Sequence, residues 1–184
     1  MALAQRRWAA NLLYFWFHEL SPADWWGGSQ EVDRECEKRF RPELEALSSL
    51  RPENFVADPQ VALAAVLLFD QMPRNIYRGT ARAFAFDPLA RDITHYALDF
   101  GCDLLLPPRR AQFLAMPLMH SEDIADQLRS LEAFRRIRDG SNLSFARSHY
   151  RMIARFGRFP HRNDILERKT TPAEQRAIDA GFSW

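Results

Sequence analysis

Residues Asp58–Pro73 read DPQVALAAVLLFDQMP, and the fold turns on how that stretch is read. Its apolar run, Val61–Phe69, is nine residues long, about half of the roughly 18 to 20 that a helix needs to cross a bilayer, so it predicts a buried helix and no membrane span. Asp58 and Pro59 supply the start, because a carboxylate caps free amides and proline loses nothing at a first helical position. Pro73 predicts the end, since a proline pushes its predecessor out of the helical region. A helix that is apolar on most faces has no side for water, so this one is expected to be the most buried in the protein.

Strands are hard to place around it. Four valines, seven isoleucines and four threonines leave few β-branched residues, and no apolar/polar alternation is sustained. The reading is an all-α fold. Upstream, a first helix is expected from Leu3 to Leu20, apolar nearly all round through LLYFWF (12–17), until SPADWWGGS (21–29) breaks it. A second follows Ser29 with Val32, Cys36 and Phe40 spaced by four, and a short third follows Pro42 with Leu44, Leu47 and Leu50. Downstream, a helical segment near Ala81–Phe86 leads to a helix capped by Asp87 and Pro88 and closed by Gly101, and another starts at Pro107 and Pro108 and stops at Pro117. Ser121 is expected to cap a long helix with Glu122 and Asp123 in its first turn and Arg135, Arg136 and Arg138 in its last, as the helix dipole favours, before Gly140. A core helix from Leu143 to Phe156 is expected to bury Phe145, Met152, Ile153 and Phe156 and to end at Gly157; Thr171, Pro172 and Glu174 form a capping box for a last short helix. The total is about eight to ten helices joined by short proline-rich turns, a helix-pair superhelix or irregular bundle in one domain over residues 1–184.

A chain of 184 residues that is 47% hydrophobic and 12% aromatic has enough apolar surface for one sizeable core. Cys36 and Cys102 lie far apart with no C-x-x-C pair, so neither a disulfide framework nor a zinc cluster is indicated, and a reducing cytoplasm fits best. The opening MALAQRRWAANLLYFWF imitates a signal peptide, yet HEL follows it and no small-x-small cleavage site is present. Net charge is only +1, but it is unevenly spread: Glu19–Asp58 holds ten acids and five bases, and Arg135–Arg168 nine arginines and three acids. Such asymmetry is first of all a property of solvated helix faces. The near-neutral total, with bases not interleaved with exposed-looking aromatics, argues against nucleic acid. Arginine outnumbers lysine 23 to 2, and guanidinium is the better group for bidentate capture of carboxylate or phosphate.

Chemistry-bearing residues gather in three stretches, each holding a proline: DQMPRN (70–75) with Arg78 one turn on, MPLMHSED (116–123) and RFGRFPHRN (155–163). Asp70 and Arg74 are four apart and are expected to pair. His120 is a candidate acid/base, although a histidine beside a cap is more often a hydrogen-bonded structural residue, and His149 reads as a satisfied core histidine. Arg147, Arg151 and Arg155 form a stripe of like charge that must meet acids, an anionic ligand or open water. No H-E-x-x-H, G-x-S-x-G or phosphate-cradling glycine loop is present. Nothing in the spacing shows that His120, His161 and Asp70 or Glu122 make a two-histidine, one-carboxylate metal site, so neither metal nor cofactor is expected. The candidate ligand set is Asp70, Arg74, Asn75, Arg78, His120, Glu122, Arg155, Arg158, His161, Arg162 and Asn163, with His120, Glu122 and His161 as catalytic candidates.

At LFDQMPRNIYRGTARAFAFD (68–87), MPLMHSED and RFGRFPHRN the chain resembles a bacterial domain-of-unknown-function family, number nine-two-four, placed in the TPR-like helical superfamily. The resemblance runs from YFWFHEL (14–20) to TPAEQRAI (171–178). It implies an all-α, helix-pair architecture and brings no established activity and no assigned catalytic residues. The chain departs from it at LERKTT (166–171), where the family usually has a glycine-containing LGR stretch. TPR-like scaffolds present a concave face to peptides, and some clamp a terminal carboxylate. With the gathered arginines, the leading expectation is a cytoplasmic binding module for an anionic small molecule or a carboxylate-bearing peptide. The alternative is a hydrolase of an anionic substrate, with His120 or His161 as acid/base and Glu122 or Asp70 orienting it. The sequence sets no oligomeric state.

Overall fold

Asp58 begins the central helix as its position predicts, accepting from the amides of Gln60 (2.8 Å) and Val61 (3.3 Å) with Pro59 at the first helical position. The computed structural model describes residues 7–137 and 142–181, and among them all regular structure is helical. The α-helices are α1 (Arg7–Tyr14), α2 (Pro22–Trp26), α3 (Gln30–Leu47), α4 (Pro59–Val66), α5 (Met72–Ile76), α6 (Asp87–Asp99), α7 (Pro108–His120), α8 (Ile124–Arg136), α9 (Leu143–Phe156) and α10 (Pro172–Asp179). The expected helix start at Leu3 and the stop at Gly140 lie outside the described residues.

Every residue from Val61 to Pro73 is buried, with α4 packed against α1, α6 and α7. Pro73 does not end this helix, contrary to its sequence reading. Leu67–Gln71 widens into a π turn in which the Met72 amide donates to the Leu67 carbonyl, and α5 carries on through Pro73 to Ile76. An inserted proline lacks an amide and crowds the carbonyl four residues back; a π turn accommodates both defects without breaking the helix. The first helix is modified the same way, α1 passing into a π turn at Phe15–Glu19 where the Leu20 amide reaches Phe15.

Two further prolines sit inside helices where breaks were expected. Pro42 lies within α3, whose apolar face runs through Cys36, Phe40 and Leu44 in one register. An interior proline costs about 3 kcal/mol, and burying Phe40 and Leu44 on either side of it returns about 1.5–3 kcal/mol each, so continuity wins. Pro117 lies within α7, which runs one turn further to His120. The terminal carbonyls of that turn are satisfied by buried Gln127, whose amide donates to Met119 (2.7 Å) and Ser121 (2.7 Å).

The cap of α8 is Asp123, which accepts from the Ala125 amide at 2.8 Å, and not Ser121 as the sequence suggested. Ser121 instead accepts from the Asp123 amide and donates to Asp126 at 2.6 Å, locking the α7–α8 turn. Asp87 likewise does not cap α6; its side chain is turned to Arg74. In α9 the inward face is Ala146, His149, Met152 and Ile153, while Phe145, expected in the core, stands half-exposed one position off that face. Gly157 ends α9 at φ +68°, and the capping box of Thr171 and Glu174 opens α10.

Candidate functional site

A cavity of about 540 Å³ forms where α2, the α4–α5 turn, α7, the start of α9 and the segment after α9 come together. Trp25, Trp26, Phe84, Met116, Met119 and Phe145 give it an apolar wall. Trp26 and Phe145 are 59% and 50% exposed and form an aromatic rim. The polar wall is drawn from all three candidate stretches: Arg74, Asn75 and Arg78 from the first, His120 from the second, His161 and Arg162 from the third.

Its floor is built on the π turn. Asp70 has no solvent exposure, and its Oδ1 lies 2.8 Å from Nδ1 of His120 at the last position of α7. Gln71 donates to Asp70 Oδ2 at 2.5 Å, and Arg74, one turn on, comes within 3.3 Å of Asp70 Oδ1 as the spacing of four predicts. Burial alone would raise the Asp70 carboxyl, but the Arg74 and His120 charges and the hydrogen bonds from His120 and Gln71 outweigh it and hold it below its usual range. Arg74 also makes a bidentate pair with Asp87 at 2.8 and 3.1 Å.

Arg162 has no such match. It is 7% exposed, its Nε has no hydrogen-bond partner among the described residues, and the carboxylate oxygen of its one ion pair, Oδ2 of Asp87, is 3.8 Å away and shared with Arg74. Its guanidinium lies between two aromatic rings, 4.5 Å from the centroid of Phe159 and 4.7 Å from that of Phe84. Burial, then the like charge of Arg74, pushes its pKa down to about 10. Burial also lowers His149 to about 3 and His161 to about 4, so both are neutral at pH 7. The Nδ1 proton of His149 is donated to the Phe145 carbonyl at 2.8 Å.

The other candidate residues lie elsewhere. Glu122 accepts from the Phe159 amide (2.8 Å) and from both terminal nitrogens of Arg168 (2.7 and 3.0 Å), a knot that fastens the segment after α9 to the α7–α8 turn. Its negative charge is felt at His161, where it opposes the lowering by burial. Arg158 pairs with Glu174 at 2.6 and 3.0 Å. Asn163 is fully buried and donates to Thr170 at 3.2 Å, and Arg155 is exposed over the Phe156 ring. Arg78, at the cavity wall, is held by Asp33 at 2.7 and 2.8 Å. Among the described residues no group of three or more His, Cys, Asp or Glu side chains could hold a metal ion.

Sequence reasoning missed the aromatic wall and the counter-ion. Trp25 and Trp26 sit in the stretch read only as a helix break, and Asp87 was assigned to a cap. Two adjacent tryptophans in a glycine-flanked turn were the available signal, because so much apolar surface in a turn needs a wall to cover.

No helix among the described residues is long and apolar enough to cross a membrane. A comparison with curated proteins finds no match. The solved structure of a protein of unknown function from Agrobacterium tumefaciens, ATU0120, superposes with a TM-score of 0.87 at 36% identity, covering 94% of this chain and 97% of that one. The sequence model of the bacterial proteins of unknown function DUF924 matches residues 12–181, and the chain belongs to that family.

Proposed function

We propose that the cavity binds the anionic group of a small molecule or peptide end, with the apolar body of the ligand against Trp25, Trp26, Phe84 and Phe145. The observation that carries this reading is Arg162: a guanidinium removed from water, with an open donor and a carboxylate that already belongs to another arginine. A buried charge is costly until it is paired, so an incoming carboxylate or phosphate completes a site that the chain leaves incomplete. The half-exposed Trp26 and Phe145 offer aromatic surface above it, which suits a ligand with one charged end and one apolar end. The reading places this module in the cytoplasm, in keeping with two free, buried cysteines.

Calorimetric titration and thermal unfolding with benzoate, diphenyl phosphate and a short peptide bearing a free C-terminal carboxylate test the reading. A ligand at 100 times its Kd adds about 2.7 kcal/mol, a rise of roughly 5–10 °C for a chain of this size. Arg162→Met removes the rise. No response to any of the three anions refutes the site.

A further inference from the structure

We infer that His120, held by Asp70, is the general base of a phosphodiester hydrolysis carried out in this cavity; the inference rests on the anion-binding reading above. Asp70 is fully buried and accepts at 2.8 Å from Nδ1 of His120. An ionised carboxylate can only accept, so the Nδ1 position carries the proton, and in the neutral form of the ring Nε2 keeps a lone pair. With Nδ1 committed to the buried floor, Nε2 is the nitrogen that the cavity-lining ring offers to a bound molecule. The orienting carboxylate is itself fixed: Gln71 holds its other oxygen, and Arg74 stands 3.3 Å from the oxygen that His120 uses. A histidine locked in one tautomer and orientation beside a cavity is the arrangement general-base catalysis needs.

The rest of the lining says what that base acts on. Among the described lining residues there is no serine, threonine, cysteine or lysine whose proton His120 could take, so the proton it takes is that of water. Of the three arginines that line the cavity, Arg74 holds Asp87 and Arg78 holds Asp33, so Arg162 is the lining guanidinium left to meet one incoming negative charge, and a second would be buried unpaired. For the anion that Arg162 holds to be also the group that water attacks, it must combine one negative charge with a cleavable bond. A phosphodiester has both; a carboxylate lacks the bond.

In the reaction, the oxygen of a water molecule bonds to phosphorus while Nε2 of His120 takes one of its protons. The bond from phosphorus to the leaving oxygen, on the side opposite the attack, breaks; that oxygen takes a proton from water, and the imidazolium gives up its own to water. One water is consumed, and a phosphomonoester and an alcohol are formed. Arg162 holds the non-bridging oxygens as charge builds on them. The monoester ionises a second time near neutral pH, and its second negative charge has no further cation to meet, which favours its release.

Release of 4-nitrophenol from bis(4-nitrophenyl) phosphate by the full chain, with binding of diphenyl phosphate measured alongside, is the test. The wild type is expected to turn over with saturation. His120→Gln should lower kcat by about 100-fold or more while its Kd for diphenyl phosphate stays within about threefold, which also shows that the variant is folded. Asp70→Asn, acting through His120, should lower kcat at unchanged KM and shift the acidic limb of the pH profile, and Arg162→Met should both raise KM and lower kcat. Wild type that binds diphenyl phosphate but releases no nitrophenol overturns the catalytic inference and leaves the binding reading standing. Turnover that survives in His120→Gln overturns the role of His120, and absence of both binding and turnover removes the two readings together.

Discussion

Arg162→Met keeps the length of the side chain and its contacts with Phe84 and Phe159 while removing the charge and the donors. In the unliganded protein the guanidinium is pushed from 12.5 down to about 10, chiefly by burial. At about 1.4 kcal/mol per tenfold change, that is on the order of 3 kcal/mol by which the folded protein disfavours the charged form relative to water. Against this stands the loss of the cation over two rings, worth about 0.5–2 kcal/mol. Asp87 is not stranded by the change, because Arg74 holds both of its oxygens. The net expectation is a gain of about 1–2 kcal/mol, which for a chain of this length raises Tm by roughly 2–8 °C in a calorimetric scan without ligand. The same variant should lose anion binding, so stability and binding move in opposite directions. A fall of about 3 kcal/mol or more on substitution would refute the reasoning, since only a partner left unpaired could cost so much.

Glu167 adopts φ +53°, a left-handed conformation that glycine takes without cost, so Glu167→Gly should stabilise by about 0.5–1 kcal/mol in urea unfolding, the relief of a left-handed side chain less the entropy of glycine. Glu122→Ala removes the acceptor of three hydrogen bonds from Arg168 and Phe159 and should cost about 2–3 kcal/mol, read as a Tm lower by roughly 4–12 °C. For pH, His149 is lowered from 6.5 to about 3 by burial, so below pH 6.5 the unfolded chain binds a proton that the folded chain refuses until about 3. Stability therefore falls as pH drops through that window, by about 1.4 kcal/mol per pH unit near its middle, and His149→Gln should flatten the slope of urea midpoints between about pH 6 and 4.5.

Some helix starts were legible because capping is local chemistry, although Ser121 and Asp87 were not the caps that they were read as. Asp58 with Pro59, Ser29, and Thr171 with Glu174 each act within a few residues of themselves. Interior prolines were misread for the opposite reason. Whether Pro42, Pro73 or Pro117 ends a helix depends on what the next turn gains by continuing, and that gain comes from Leu44, Arg74 and Gln127, through contacts with segments distant in sequence. The same limit divided the candidate site. The three proline-bearing stretches do converge, but Arg158 and Glu122 were matched within the fold to Glu174 and Arg168, while Arg162 was left beside a carboxylate that Arg74 had taken. Pair matching among 23 arginines is a property of the assembled molecule, and no spacing rule reads it.

The costs in this fold are not spread evenly. Exposed arginines such as Arg39, Arg41 and Arg78 have nearby carboxylates, and the segment after α9 is fastened by the complete networks of Glu122 and Glu174. Four irregular features meet around one cavity: a π turn in the most buried stretch, a proline inside the helix that follows it, a carboxylate with no access to water, and a guanidinium without its own counter-ion. Each of these alone costs a few kcal/mol at most, and any could be removed by an ordinary helical residue. The π turn connects them physically, because by taking up the strain of Pro73 it lets the helix run on to carry Arg74 to Asp87 while Asp70 stays beneath His120. A helix ending at Pro73 would not carry Arg74 to Asp87, so the continuation past Pro73 is what gives Asp87 to Arg74 and leaves Arg162 unmatched beside the same opening.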